Sequence, residues 1–270
     1  MKSLKISLIQ SELFWENPTK NKELFTEKIN SISEQVDVIV LPEMFTTGFT
    51  MNTEACGEVM SGETIEWMKH QAAKKNAAVT GSLIINCEGN YYNRLIWAQP
   101  DGKIFHYDKR HLFRMANEHN FYSSGKNRLV IEWRGWKIFP LICYDLRFPV
   151  WSRNRVLEVG EQIQYEYDCL INVANWPDVR KSAWCKLLEA RAIENQSYVV
   201  GVNRVGTDEN QKKYSGNSRA IDFLGNIINE LQEYENAIQT VELSFTELSD
   251  YRAKFPAGMD ADNFIINDIL

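Results

Sequence analysis

Apolar and polar positions follow two rhythms along this chain, and each rhythm predicts an element. At the start, Leu4, Ile6 and Leu8 alternate with polar Lys5 and Ser7, which predicts a first strand running to Gln10. Asn17-Pro18, a cap and first-turn pair, opens a helix carried by Leu24, Phe25, Ile29 and Ile32 at near-helical spacing. The apolar run over 36–41 predicts a buried strand that stops at Pro42-Glu43. Residues 65–73 predict a second helix, and 77–85 a strand crossing Gly81. Two β-rich runs within 93–109 flank Pro100-Asp101-Gly102, a turn sequence, and predict a hairpin. A second hairpin is expected over 129–143, turning at Arg134-Gly135.

The second half continues in the same way. Residues 169–174 form another buried-strand run, after which Ser182 is the expected cap of a helix through Leu187, Leu188, Ala192 and Asn195. Residues 198–202 predict a strand, 218–231 a hairpin turning at Leu224-Gly225-Asn226, Val241 a last strand, and 245–255 a final helix. No repeat, low-complexity tract or Gly/Ser linker interrupts the series. Strands, hairpins and helices mixed without a break predict one α/β domain over 1–270, with a tail over 256–270 as a packing or assembly segment.

Composition narrows the class. The chain has 270 residues, enough for one large domain, and a formal charge of −6 that offers no general attraction to nucleic acid or anionic lipid. No stretch approaches the ~18 consecutive apolar residues of a membrane helix. The first ten residues lack a small-residue cleavage site, so they read as a strand and not as a secretory signal. The five cysteines, at 56, 87, 143, 169 and 185, are odd in number and widely spaced, and with the four scattered histidines they give no metal-ligand spacing. Reduced thiols in a cytoplasmic protein are the simplest account.

Three apolar strands end abruptly at a chemically capable residue: 38–43 at Glu43, 104–109 at Lys109, and 138–143 at Cys143. Carboxyl ends of strands are where ligands bind in α/β sheets. Taken singly, Glu43 and Lys109 read as solvated surface charges and Cys143 as an inert core thiol. Together they supply a carboxylate to move a proton, an ammonium to favour a thiolate and steady an oxyanion, and a nucleophile. Spacing alone does not bring the three together.

The wording of these segments carries a resemblance. Leu-Pro-Glu-Met-Phe-Thr-Thr-Gly-Phe49, Tyr-Asp-Lys-Arg-His-Leu-Phe113 and Leu-Ile-Cys-Tyr-Asp-Leu-Arg-Phe-Pro149 resemble the glutamate, lysine and cysteine motifs of the nitrilase superfamily, in family order. Asn175-Trp-Pro177 and Glu189-Ala-Arg-Ala-Ile-Glu-Asn-Gln196 match two further landmarks. The runs over 107–118 and 135–154 are most similar to the bacterial omega-amidase branch. The resemblance implies an α-β-β-α sandwich and a homodimer, with no metal or organic cofactor.

It also implies roles. Glu43 would be general base and acid, Lys109 would steady the oxyanion, and Cys143 would form an acyl thioester. Glu118, seven residues before Gly125, would orient the substrate amide and Lys109. The family's proline–glycine here is Ser124-Gly125, a departure that bears on loop geometry. The substrate implied is a small amide, 2-oxoglutaramate or 2-oxosuccinamate. Arg147 is then a candidate for its keto-acid end, or else an ion-pair partner of Asp145, while Phe113, Tyr144 and Trp176 form an aromatic wall or simply pack. The polar stretch over 155–167 reads as a surface insertion relative to nearby members, with a part in access or assembly.

Other readings stand beside this one. A nitrilase, an N-carbamoyl hydrolase or an aliphatic amidase would use the same four residues. A Cys–His hydrolase would take His106 or His111 as base, and a catalytically silent scaffold would keep only the fold.

Overall fold

The alternating start of the chain is strand β1 (Leu4–Gln10). Asn17 caps α1 (Pro18–Ser31), its Oδ1 accepting the Lys20 N–H at 3.1 Å, as the Asn-Pro pair predicts. Then come β2 (Val38–Val40), the single turn α2 (Thr53–Cys56) and α3 (Glu63–Lys75). Strands β3 (Ala78–Cys87), β4 (Asn90–Ala98) and β5 (Ile104–Asp108) form an antiparallel meander whose second turn is the expected Pro100–Gly102 segment. This computed structural model describes residues 3–159, 162–262 and 264–266.

The hairpin β6 (Ile131–Trp133) and β7 (Trp136–Ile142) turns at Arg134-Gly135, both at positive φ. It is followed by α4 (Pro149–Ser152), β8 (Val156–Val159) paired with β9 (Gln162–Tyr165), and β10 (Cys169–Ala174). Next come α5 (Lys181–Asn195), β11 (Tyr198–Asn203), and a small hairpin of β12 (Val205–Thr207) and β13 (Lys213–Ser215). Strands β14 (Arg219–Ile221) and β15 (Ala237–Leu243) and helix α6 (Phe245–Lys254) complete the series.

The main strands form two sheets, a six-stranded one in the order β15-β1-β2-β3-β4-β5 and a five-stranded one in the order β14-β11-β10-β7-β6. Strands β1, β2 and β3 run parallel, as do β7, β10 and β11, while β15 closes antiparallel on β1 with Leu4 opposite Leu243.

Side-chain alternation sorts the layers. Leu4, Ile6 and Leu8 of β1, Val38 and Val40 of β2, and Leu95 and Trp97 of β4 face the second sheet and share one buried core with Ile138, Ile171 and Val200. The intervening Ile9, Ile39, Val79 and Ile96 point the other way, onto Phe25 and Ile29 of α1 and Ile65, Met68 and Ala72 of α3. Helices α5 and α6 cover the second sheet through Trp184, Leu188, Ala192 and Leu248. Gly201 allows this, because a Cβ there would stand 2.6 Å from Leu188 Cδ1. The layers are therefore α-β-β-α, as expected. Each fully buried aliphatic side chain contributes about 1.5–3 kcal/mol, so the shared core is the main source of cohesion between the sheets.

Three expectations need correction. Ser182 does not cap α5; Arg180 occupies the cap position without a side-chain bond, because a 3₁₀ turn over Asp178–Arg180 leads straight into the helix. The stretch over 218–231 is less than a hairpin. Its first limb, β14, pairs with β11, and the return limb adds one bridge, Ile221 to Ile227, beyond a turn held by Asp222. The segment over 155–167 is not simply polar surface. It contains the pair β8–β9 (160 and 161 lie outside the described residues), and Tyr167 at its end is fully buried, stacked 4.9 Å from Phe139.

Candidate active site

Glu43, Lys109 and Cys143 stand just past the carboxyl ends of β2, β5 and β7, so two come from the first sheet and one from the second. Lys109 Nζ lies 3.0 Å from Glu43 Oε1 and 2.9 and 3.1 Å from the two oxygens of Glu118. Glu118 reaches this point from a 3₁₀ turn in the loop after β5, where one of its oxygens accepts the Phe113 N–H at 2.5 Å. Glu43 and Glu118 are wholly inaccessible to solvent, and Lys109 is 1% exposed. A surface reading of these charges is thus excluded.

Glu43 also joins the sheets. Its Oε1 accepts from Asn93 Nδ2 of β4 at 2.7 Å, its Oε2 accepts the Asn175 N–H beyond β10 at 2.7 Å, and its backbone carbonyl accepts from Asn175 Nδ2. Cys143 completes the cluster, lining the same cleft as Glu43 and Lys109.

Burial sets the charge states. Desolvation alone would push the Lys109 ammonium toward deprotonation, but Glu118 and Glu43 outweigh it and hold the group well above the usual lysine range. Burial raises the Glu118 carboxyl, against the pull of Lys109. Burial also drives the Cys143 thiol well above its ordinary value, with Glu43 adding to the effect and Lys109 opposing it. The ammonium favours the thiolate, as expected from its charge, but burial and Glu43 outweigh it. One ammonium faces two carboxylates, so a third negative charge is unwelcome and the thiol keeps its proton.

Cys143 begins a 3₁₀ turn over Cys143–Arg147 with φ +45°, a conformation that costs a non-glycine residue energy and persists only when its surroundings impose it. Two side chains do so. Asn172 of β10 accepts the Cys143 N–H at 3.0 Å. Asp145, fully buried, accepts the Ile142 N–H at 3.2 Å, the His111 N–H at 2.9 Å and the Tyr107 hydroxyl at 2.8 Å.

The same Asp145 decides two open readings. His111 Nδ1 lies 2.8 Å from Asp145 and its ring stacks on Phe148 at 3.7 Å, while His106 is exposed on β5. Neither histidine lines the cleft onto which Cys143 opens, so a Cys–His hydrolase is not what this geometry builds. Nor does Arg147 pair with Asp145; its guanidinium lies over Trp176, 5.0 Å from the ring centre.

That cleft is lined by Phe113, Tyr144, Arg147 and Trp176, all four of the expected substrate-facing residues. Phe113 and Tyr144 meet edge to face at 5.0 Å, forming part of one wall. Phe49, Arg180, Lys212 and Tyr214 also line it, and sequence reasoning missed them. It missed Asn93, Asn172 and Asp145 as well. Asn172, an amide amid the apolar run over 169–174, was the readable signal, since a buried amide needs a partner.

Comparison with known proteins agrees with this geometry. The pattern of the family described as carbon-nitrogen hydrolase matches residues 5–253. The chain is 48% identical over 266 residues to an omega-amidase YafV of Yersinia enterocolitica, covering 98% of this chain and 100% of that protein. It is 33% identical over 261 residues to a 2-oxoglutaramate amidase of Bacillus subtilis, covering 94% and 96%. Among solved structures, a CN-hydrolase superfamily protein of Xanthomonas campestris with an arsenic adduct in its active site superposes with a TM-score of 0.94. That pair is 46% identical, over 99% of this chain and 100% of that one. With a glutamate, a lysine and a cysteine meeting between two sheets and a family match over nearly its whole length, the chain belongs to the carbon–nitrogen hydrolases.

Proposed function

We propose that this enzyme hydrolyses the terminal amide of a small 2-oxo acid amide, of the class of 2-oxoglutaramate and 2-oxosuccinamate, to a 2-oxo dicarboxylic acid and ammonia. The observation that carries the chemistry is the convergence of the Cys143 thiol and Glu43 on one cleft, beside a lysine shared by two carboxylates. The relatives named as omega-amidase and 2-oxoglutaramate amidase support the substrate class.

Glu43 takes the thiol proton as Cys143 attacks the amide carbon. The developing oxyanion is held by the Lys109 ammonium and the Tyr144 N–H. Collapse breaks the carbon–nitrogen bond, Glu43 returns the proton to nitrogen, and ammonia leaves. Glu43 then draws a proton from water, whose oxygen attacks the thioester, and releases it to the departing Cys143 sulfur. Glu118 positions Lys109 and the substrate amide and helps keep the lysine charged throughout. Arg147, on the cleft wall, receives the keto-acid end. Phe113, Tyr144 and Trp176 confine a small, flat substrate.

A homodimer and cytoplasmic residence belong to the same proposal, the latter supported by five cysteines that are all unpaired. The test is ammonia release from 2-oxoglutaramate beside succinamate, glutamine, a simple nitrile and an N-carbamoyl amino acid, with Cys143→Ala as blank. Preference for the keto-acid amide is the expected result. Turnover of another compound alone would keep the Glu–Lys–Cys chemistry and overturn the substrate, and silence from folded protein would favour a scaffold.

A further inference from the structure

Three cations from three separate stretches of chain converge on the cleft of Cys143: Arg147 from the nucleophile's own turn, Arg180 from the turn before α5, and Lys212 from the β12–β13 hairpin. None forms an ion pair or a side-chain hydrogen bond among the described residues. The acids that could have neutralised them are engaged elsewhere. Asp178, two residues from Arg180, lies 3.6 Å from Lys181 and accepts the Tyr234 hydroxyl at 3.0 Å. Asp208 accepts the Lys212 N–H and the Tyr214 hydroxyl, each at 2.9 Å. Asp145 serves Tyr107, His111 and Ile142, and Glu43 and Glu118 serve Lys109.

Both guanidiniums are nevertheless held in place. Arg147 lies over Trp176 at 5.0 Å, and Arg180 over Phe113 at 5.3 Å. A guanidinium held over a ring makes no hydrogen bond to it and keeps N–H donors for a carboxylate. Arg180 is fixed at its backbone too, because its carbonyl accepts the Trp176 Nε1–H at 2.9 Å. Phe113, beneath the Arg180 guanidinium, is tied by its N–H to Glu118.

The charge is divided along the cleft. At the catalytic end one ammonium faces two carboxylates, so that end repels an anion, while the remaining walls carry three positive charges without a counter-ion. We infer that Arg180 is a specificity-determining residue, holding the acid end of the substrate together with Arg147, and that exposed Lys212 draws the anion in. This division orients the ligand, with the carboxylate turned away from Cys143 and the uncharged amide presented to it. The inference rests on the proposed acidic-amide substrate and assigns what reads its charge.

The test titrates 2-oxoglutaramate into Cys143→Ala protein, which binds without cleaving. Adding Arg180→Ala is expected to raise Kd about 10–100-fold, the scale of losing a charge-assisted hydrogen-bond pair, with Arg180→Lys recovering part of the loss. The preference for 2-oxoglutaramate over the neutral diamide glutaramide should fall in proportion. An unchanged Kd, or equal weakening for both ligands, would overturn the assignment, as would failure of Cys143→Ala protein to bind 2-oxoglutaramate at all. In the active enzyme, Lys212→Ala should lower kcat/KM for 2-oxoglutaramate at low salt and converge with wild type near ~1 M salt, where screening is short-ranged. A salt-independent loss would remove Lys212 from this role. The two readings fail separately. Arg180-dependent binding without turnover by wild type overturns the proposed reaction, whereas turnover with Arg180-independent binding overturns only this inference.

Discussion

At the scale of single residues, Cys143 is a thiol stored in its inactive form. Burial and Glu43 both oppose its ionisation, and the proposed transfer of its proton to Glu43 is what would release it for attack. Difference titration of thiolate absorbance against Cys143→Ala should therefore give a midpoint above the ordinary cysteine range. In Glu43→Gln the neighbouring negative charge is gone, so the midpoint should move down even as turnover is lost; an upward or absent shift would contradict the electrostatic account. Cys143→Ala should release no ammonia yet unfold like wild type. Lys109→Ala should lose ~10²–10³ in rate, the usual cost of one oxyanion donor, as measured by ammonia release. Much of this cluster was legible in the sequence, because Glu43, Lys109 and Cys143 each follow the end of an apolar strand and the motifs around them resemble those of one family. Asn93, Asn175 and Arg180 were not assigned roles, since their partners lie 50, 132 and 67 positions away along the chain for Glu43 and Phe113. Spacing carries no trace of such pairings.

At the scale of elements, two turns decide whether the site assembles. The turn after β7 hangs on Asp145, whose acceptors serve three segments of chain. Asp145→Ala leaves buried donors without partners and should cost at least about 2 kcal/mol, read from urea denaturation, with activity falling further because Cys143 loses its imposed backbone. The loop after β5 hangs on Gly125, whose N–H donates to the Lys109 carbonyl at 2.9 Å. A Cβ at Gly125 would overlap the Asp108 carbonyl, so Gly125→Ala should push the end of β5 aside and depress kcat more than stability. Equal turnover by this variant would separate the loop from Lys109 placement. The Ser124-Gly125 departure thus retains the residue the loop requires. Element boundaries were the less legible part. The predicted cap at Ser182 failed because the Asp178–Arg180 turn starts the helix two residues earlier without a side-chain acceptor. The predicted hairpin over 218–231 is present only as a tight turn with one bridge, and the additional pairing of β14 with β11 is a choice that local turn chemistry does not record.

At the scale of the whole molecule, the active site is a property of two sheets in contact. Glu43 and Lys109 belong to one sheet, Cys143 and Asn175 to the other, and the core between the sheets sets their separation. Leu8 lies in that core with no exposure. Leu8→Ala should cost about 2–5 kcal/mol by denaturant unfolding, and a negligible change would argue that the sheets do not depend on this face. The layer order was expected from the resemblance, whereas the pairing of β1 with β15 could not be seen, since alternation specifies a face and not a neighbour. That pairing has a consequence for how the protein is made. Leu4 and Leu243 lie opposite each other, although every strand of the second sheet falls between them in the chain. Throughout synthesis one side of β1 therefore remains an open template for any extended chain nearby. Completion of the first sheet waits until the second has been translated, so over that stretch of synthesis the nascent chain keeps a form that a chaperone, or a neighbouring polysome, can still capture.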